Sequence, residues 1–241
     1  MIDFKGRGGI SLGQKFIEDA TLARLGWAVP AVTLTLAMLI HGLSGDARAI
    51  PFFISESDYP GPQRIVFTSG LFISGFIICT VSFRMWWTQR QDSRPKLLFI
   101  SMLCGFYTGV NISVMAIANM YDFLEFHIFA ALGVFQVGMV WALVAHFALP
   151  NAQKKGKTLR WISIIVSFVS FNVMTSSLSN AVKGMSSAER QDALIQLTPI
   201  QSAINIAAPA EYFLVIGLFL AIASFESDLK IREIIGQDSE Q

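Results

Sequence analysis

The chain has 241 residues, of which 53% are hydrophobic and only 15% are charged. Soluble domains carry about 25% charged residues, so this composition excludes an ordinary soluble protein and indicates one that lies in a lipid bilayer. The net charge of +1 gives no basis for nucleic acid as a partner, because nucleic-acid binding needs Lys and Arg concentrated on one face.

Six apolar stretches are long enough to cross a membrane as helices, which takes about 20 residues for roughly 30 Å of hydrocarbon. They are continuous rather than alternating, so they predict helices and not the strands of a membrane barrel. We predict an all-α fold, a polytopic bundle of six transmembrane helices that forms a single membrane domain over residues 1–241. The six predicted spans are Leu25–Gly45, Ile65–Trp87, Leu97–Tyr121, Phe126–Leu149, Trp161–Val182 and Pro199–Phe225.

The distribution of Lys and Arg predicts the orientation, because these residues are retained on the cytoplasmic side during insertion. Fourteen of the 18 lie near the N-terminus, around the second and fourth connections, and in the tail. We therefore predict a short cytoplasmic N-terminus, residues 1–24, and a cytoplasmic tail, residues 226–241. The four basic residues on the other side are Arg48, Arg64, Lys183 and Arg190.

The tryptophans agree with this orientation, because all five fall in the predicted cytoplasmic halves of the spans, where an indole can lie at the headgroup boundary. They are Trp27, Trp86, Trp87, Trp141 and Trp161. Within the third span, Gly105 and Gly109 form a GxxxG pair, a spacing that lets two helix backbones approach closely. We expect this pair to pack against a neighbouring helix.

Glu211 lies inside the sixth span, where an ionised carboxylate costs roughly 2.5–3.5 kcal/mol on insertion scales. With Thr198 as a plausible N-cap and Pro199 at the first helical position, Glu211 comes near the midplane of the membrane. We expect it to face protein or water rather than lipid. Pro209 removes a backbone donor two residues earlier and predicts a kink.

Other polar residues accumulate in the predicted non-cytoplasmic half of the bundle, whereas the cytoplasmic halves are much less polar. One hypothesis is a polar pocket inside the bundle. The alternative is that the Ser and Asn side chains join helices by hydrogen bonds worth a fraction of a kcal/mol each. The residues concerned are His41, Asn111, Asn119, Glu125, His127, Asn172, Ser176, Ser179, Asn180 and Asn205.

Several chemistries can be set aside from the sequence. No span contains a lysine, so a retinal Schiff base has no attachment point. Of the three histidines, His146 lies at the predicted cytoplasmic end of its span, while His41 and His127 lie at the other end of theirs. This separation argues against a zinc centre built from three ligands. We expect no metal and no cofactor. His127 and Glu211 could form an acid/base pair, since a carboxylate can orient and activate a histidine.

Four short motifs, in order along the six-span frame, resemble a known superfamily. They are Ile50-Pro51-Phe52-Phe53-Ile54-Ser55 with Pro62-Gln63-Arg64, then Ala118-Asn119, His127, and Ala210-Glu211-Tyr212. The chain is similar to the six-span proteins that join Frag-type glycosylphosphatidylinositol (GPI) anchor processing factors, DRAM-type autophagy modulators and yeast Sfk-type proteins, which are related to the CWH-type N-terminal domain. Pro-Gln-Arg and Ala-Glu-Tyr favour the Frag-type branch.

The resemblance implies a membrane protein that handles lipids, acting on the lumenal side of the Golgi in the lipid remodelling of GPI anchors. It implies that His127 and Glu211 are the catalytic residues, and that Arg64 and Asn119 bind lipid. Asn111 and Asn172, from the hypothetical polar pocket, are further candidates for binding a glycolipid or phospholipid headgroup. We expect Arg64 to contact a lipid phosphate, for which a guanidinium is well suited.

Two other functions stay open at this point. The first is a non-enzymatic membrane scaffold, or a regulator of autophagy or lipid organisation, whose protein partners the sequence does not name. The second is a proton-coupled transporter, because lone acids near the midplane also mark ion pathways. The location is equally open: the Golgi or another endomembrane in a eukaryote, and the inner membrane in a bacterium.

Overall fold

The computed structural model describes residues 2–3, 8–12, 14–91 and 93–238. Six of its helices are long and apolar enough to cross a membrane, which confirms the predicted number of spans and the all-α fold. Lys5 and Arg7, which entered the count of basic residues, lie outside the described residues, and so do the side chains of Lys230 and Arg232.

Within the described residues, seven helices follow a small three-stranded antiparallel sheet, and two short 3-10 turns lie at Ile54–Asp58 and Thr198–Ile200. The strands are β1 (Ile2–Asp3), β2 (Gly9–Leu12) and β3 (Lys15–Glu18). The helices are α1 (Asp19–Ser44), α2 (Pro62–Gln89), α3 (Pro95–Ile117), α4 (Leu124–Ala148), α5 (Lys154–Ala181), the short α6 (Ser187–Gln196) and α7 (Gln201–Asp238).

Ordinary local signals define several helix ends. Pro62 and Pro95 stand in the first turn of α2 and α3, where the missing N–H costs nothing. Gly45 ends α1 in the left-handed region with φ of 82°, a conformation that glycine adopts without a steric penalty. The third span ends at Ile117, earlier than predicted, because the Asn119 side chain accepts hydrogen bonds from the backbone N–H groups of Tyr121 and Asp122, at 3.0 and 2.9 Å, and so turns the chain.

Contacts between helix ends show which parts of the chain lie together at each end of the bundle. At one, the starts of α1 and α5 meet the ends of α2 and α7: Arg84 Nε donates to Asp19 Oδ1 at 2.7 Å, and Arg160 Nη1 donates to Asp228 Oδ2 at 2.7 Å. We call this the terminal end. At the opposite end, which we call the cap end, lie the connections 45–61, 118–123 and 182–200.

The glycine pair of the third span packs as predicted. A Cβ at Gly109 would lie 2.7 Å from the carbonyl oxygen of Gly75, and one at Gly105 would lie 2.5 Å from Trp141 Cε2. The absence of side chains at these two positions therefore brings α2 and α4 close to α3. Trp141 itself is 2% exposed and its ring packs 5.2 Å from that of Phe225, so its indole faces the interior of the bundle and not the lipid.

The structure corrects two further predictions about the chain. The halves of the spans at the terminal end were expected to be much less polar than those at the cap end, yet the terminal end contains two buried ion pairs. The N-cap before the last span is Leu197 and not Thr198, because Thr198 already belongs to the 3-10 turn. The helix continues through Pro209 without a break.

Candidate functional site

The connection between α1 and α2, residues 45–61, folds over the cap end of the bundle, and we call it the cap segment. Its 3-10 turn begins where Glu56 Oε1 accepts a hydrogen bond from the backbone N–H of Phe53 at 2.8 Å. Arg48 pairs with the same carboxylate at 3.1 Å. Phe52, Phe53 and Ile54 are all buried, so the apolar part of this segment points into the bundle.

Three residues of helix α7 make hydrogen bonds to the cap segment. Glu211 Oε2 accepts a hydrogen bond from the backbone N–H of Ile54 at 2.7 Å. Tyr212 donates its hydroxyl hydrogen bond to the carbonyl of Phe52, and Gln201 Nε2 donates to the carbonyl of Pro51 at 3.1 Å. Glu211 is 8% exposed, which confirms that it faces protein and not lipid, and it satisfies a backbone donor that would otherwise be buried without a partner.

The connection between α3 and α4 holds the other side of the cap segment. Tyr121 donates from its hydroxyl to the carbonyl of Glu56 at 2.8 Å. Arg64 Nε donates to the carbonyl of Asp58 at 2.9 Å, and the guanidinium also lies 3.7 Å from the Asp58 carboxylate and 3.8 Å from that of Asp122. Arg64, predicted to bind a lipid phosphate, therefore joins the cap segment to the neighbouring connection.

Burial sets the protonation of the cap carboxyls. Asp58 is completely buried, and neither carboxylate oxygen has a hydrogen-bond partner among the described residues. Desolvation raises the pKa of Asp58 to about 7, against the lowering effect of Arg64. Burial also raises the pKa of Glu56, although the Phe53 N–H and Arg48 oppose that change. Both groups lose their protons closer to neutral pH than free carboxyls do.

A cavity of about 360 Å³ lies beneath the cap segment, within the range of about 300–1,000 Å³ found for ligand sites. All six long helices contribute to its lining, and Phe53, Ile54 and Ser55 of the cap segment form part of its roof. Glu211 and His127 both line it, among side chains that are almost all apolar. The polar pocket expected from the sequence is therefore not this cavity.

The two predicted catalytic residues both line the cavity, but each makes its hydrogen bond to a backbone group. His127 Nδ1 lies 2.7 Å from the carbonyl oxygen of Ala118, at the end of α3, and Glu211 holds Ile54. His127 is 4% exposed. The structure thus brings both groups to one apolar chamber, and their catalytic role stays a prediction.

The predicted lipid-binding asparagines lie outside the cavity lining. Asn111 is buried and donates to the carbonyl of its own helix at Tyr107, at 2.9 Å. Asn119 shapes the turn after α3 and pairs with Asp122 at 2.8 Å. Asn172 is exposed and donates to the carbonyl of Phe168 at 2.7 Å. No described group of three or more His, Cys, Asp and Glu side chains could hold a metal ion.

Two features of the site were missed from the sequence. Helix α6 places Leu194, with Leu197 just after it, in the lining of the cavity. The start of α6 carries a recognisable sequence signal, because Ser186 and Glu189 form a capping box. Ser186 Oγ accepts a hydrogen bond from the Glu189 N–H at 3.3 Å, and the Glu189 carboxylate accepts one from the Ser186 N–H at 2.8 Å. The convergence of seven helices on one cavity has no signal of this kind.

The family model of the Frag1/DRAM/Sfk1/Cwh43P N-terminal domain matches residues 21–231. The chain belongs to this family. The match covers the cap segment and nearly all of the six long helices, so the domain extends over nearly the whole bundle. Searches of curated proteins and of solved structures find no match.

Proposed function

We propose that this member of the Frag1/DRAM/Sfk1 family is a lipid-handling membrane protein whose cavity holds an apolar chain of a glycolipid or phospholipid. The observation that carries the proposal is the apolar cavity beneath the cap segment, with Glu211 and His127 in its lining. An apolar chamber suits an acyl chain rather than the headgroup expected from the sequence, because burying a polar headgroup there without partners would be costly.

The proposal places the cap end on the lumenal or extracytoplasmic side, since 14 of the 18 Lys and Arg residues belong to the other end or its connections. Arg64 is then at the right end of α2 to meet a lipid phosphate. Its side chain is 28% exposed. Of its two acidic partners, Asp122 has a side chain that is 60% exposed, so Asp122 is the one that a phosphate would replace.

The finer proposal is remodelling of the acyl chains of GPI anchors in the Golgi, as the resemblance to the Frag-type branch suggests. In that reaction Glu211 and His127 would act as the acid/base pair beside the bound chain. Each would keep its backbone contact, to Ile54 and Ala118 respectively, so that the cap segment and the end of α3 hold both side chains in position.

A second candidate function, a non-enzymatic scaffold or regulator, is favoured by the same contacts. Glu211, Tyr212 and Gln201 all fasten the cap segment, which is sufficient reason for a buried acid in this helix even without chemistry. In that case the cap would present its outer surface to partners, and a bound lipid would be structural.

The test uses the full chain reconstituted in vesicles that contain a GPI lipid or phosphatidylinositol, with acyl-chain release or exchange followed by mass spectrometry. Wild-type turnover that is lost in Glu211→Gln and His127→Ala, but kept in Glu125→Gln and His146→Ala, would support the catalytic proposal. Lipid that binds without turnover would support the second candidate. Absence of any bound lipid in the wild-type protein would overturn both the catalytic proposal and the lipid-handling proposal.

A further inference from the structure

The pairing of the helices leaves a seam between α4 and α5. Helix α5 packs chiefly along α7, where Ser167 Oγ donates to the carbonyl of Leu214 at 3.3 Å and Ser177 Oγ donates to that of Ala203 at 3.0 Å. Helix α4 packs chiefly against α3, and its packing against α5 is much sparser. The close ring contact between α4 and α5, 4.9 Å from His146 to Trp161, lies at the terminal end.

Several residues that line the cavity on the α4 and α5 sides of this seam are also at least partly exposed. Ile128 of α4 lines the cavity and is also 40% exposed. Leu132 of the same helix, and Thr175 and Leu178 of α5, line the cavity and are partly exposed as well. Residues that belong to both the lining and the outer surface are what an opening requires. We call these four residues the seam residues.

The other approach to the cavity is covered. At the cap end, Phe53 and Ile54 lie over the chamber, and Leu194 and Leu197 cover it from the α6 side. The first two belong to the cap segment, which Glu211 and Tyr212 hold in place, and Leu197 is itself buried at 6% exposure. A molecule coming from the aqueous phase would have to displace them, whereas a molecule already in the bilayer meets the seam directly.

The shape and lining of the cavity indicate what passes through the seam. On α4 the lining runs from Leu124 to Trp141, which is about 26 Å at 1.5 Å of rise per residue. A chamber that long with a volume of only about 360 Å³ is narrow. It is too small for a helix, which is about 10–12 Å wide with its side chains, but its shape suits one extended alkyl chain.

We propose that the seam between α4 and α5 is a lateral portal through which one acyl chain of a bilayer phospholipid or glycolipid slides into the cavity. This inference rests on the proposed function, because it assumes that the cavity takes a lipid chain. The chain inserts from the membrane side while its headgroup stays at the cap end, outside the seam. No covalent step is involved, and the driving force is the exchange of one apolar environment for another that is complementary in shape.

The test is photolabelling of the full chain in vesicles of phosphatidylcholine that carries a diazirine and an alkyne on one acyl chain. After illumination, the labelled peptides are mapped by mass spectrometry. The portal predicts label on the seam residues and also on interior cavity residues such as Val134 and Leu218. Label confined to outward side chains such as Val173 and Phe129 would overturn it.

Two substitutions narrow the seam, Thr175→Trp and Leu178→Trp, and Val173→Trp is the matched control on the same helix, because Val173 is 41% exposed and outside the lining. We expect a severalfold loss of interior label in each seam variant and none in the control. Interior label that is unchanged in both seam variants would overturn the portal alone. A wild-type protein with no interior label and no co-purified lipid would overturn the proposed function as well.

Discussion

Glu211 in α7 accepts a hydrogen bond from the backbone N–H of Ile54, 157 residues away in sequence, at 2.7 Å in the buried roof of the cavity. This contact links the acid that the sequence singles out with the loop that covers the cavity. Glu211 therefore has a structural role, and any catalytic role must be compatible with this hydrogen bond. Two variants of Glu211 are therefore needed, one that removes only the negative charge and one that also removes the hydrogen-bond acceptor.

The first prediction compares Glu211→Gln with Glu211→Leu. Gln keeps an acceptor for the Ile54 N–H, whereas Leu leaves that buried donor without a partner, at a cost of about 1–3 kcal/mol. Hydrogen exchange of the amides in residues 52–58 should be faster in Glu211→Leu and close to wild type in Glu211→Gln. Glu125→Leu, at an exposed position, is the control. Unchanged exchange in Glu211→Leu would show that this bond does not hold the cap segment.

The second prediction concerns Asp58 and pH. Its pKa is raised to about 7 in the folded protein, with Arg64 and Asp122 as the nearby charges, so between about pH 4 and pH 7 the folded state binds a proton that the unfolded state has released. The free energy of unfolding should therefore fall as pH rises through this window. Burial raises the pKa of Glu56 as well, which adds a change of the same sign.

Asp58→Asn tests this directly, because it removes the titrating group and keeps its shape. Thermal unfolding in detergent, measured from pH 4.5 to 7.5, should show a smaller loss of stability in the variant than in the wild type. Identical pH profiles for the two proteins would contradict the burial of an Asp58 carboxyl whose oxygens accept no hydrogen bond.

The third prediction contrasts two ion pairs at the terminal end. Asp228 is buried with Arg160 at 2.7 Å and also accepts from the backbone N–H of Gln153 at 3.0 Å. Glu226 pairs with Arg24, whose side chain is 56% exposed. Breaking a buried pair costs about 3–5 kcal/mol, and an exposed pair contributes about 0–1 kcal/mol. Asp228→Asn should lower the unfolding temperature far more than Glu226→Gln, and equal effects would refute the difference in burial.

The fourth prediction compares the effect on stability of adding a methyl group at a packed glycine, Gly109, and at an open one, Gly42. A Cβ at Gly109 would lie 2.7 Å from the Gly75 carbonyl oxygen and 2.6 Å from Cys79 Sγ, whereas one at Gly42 would meet nothing within 4 Å. Gly109→Ala should destabilise the bundle by about 1–3 kcal/mol through overpacking. Gly42→Ala should be neutral or stabilising, since alanine favours helix by about 1 kcal/mol. The measurement is the thermal unfolding of both variants and the wild type. A Gly109→Ala variant as stable as the wild type would mean that α2 and α3 lie further apart than in this structure.

The sequence predicts the bundle well because each span carries its own signal. Apolar length gives the six helices, and the GxxxG spacing gives the close approach of α3 to its neighbours. The positions of helix ends are less predictable: hydropathy starts the fifth span at Trp161, while the helix begins at Lys154, because a charged segment outside the hydrocarbon can still be helical.

The candidate site is only partly predictable, because it depends on contacts between distant segments. Glu211 stands out as a lone acid, but nothing in the sequence says that its partner is the Ile54 N–H. In the count of basic residues, Arg84 and Arg160 were treated as charges in cytoplasmic connections. The structure buries each of them completely against an aspartate from another helix. Asn172 and Ser176 were candidates for a polar pocket inside the bundle, yet both are exposed.

The central claim is that the cavity holds a lipid chain, and filling the cavity tests it most directly. Ala131 and Val134 of α4 line the cavity, whereas Val140 of the same helix is 45% exposed and lies outside the lining. Native mass spectrometry of gently purified protein would compare Ala131→Phe and Val134→Phe with Val140→Phe. We predict that both cavity variants lose a defined lipid which the wild type and the Val140→Phe control retain. The same lipid bound to all four proteins, or to none, would contradict the claim.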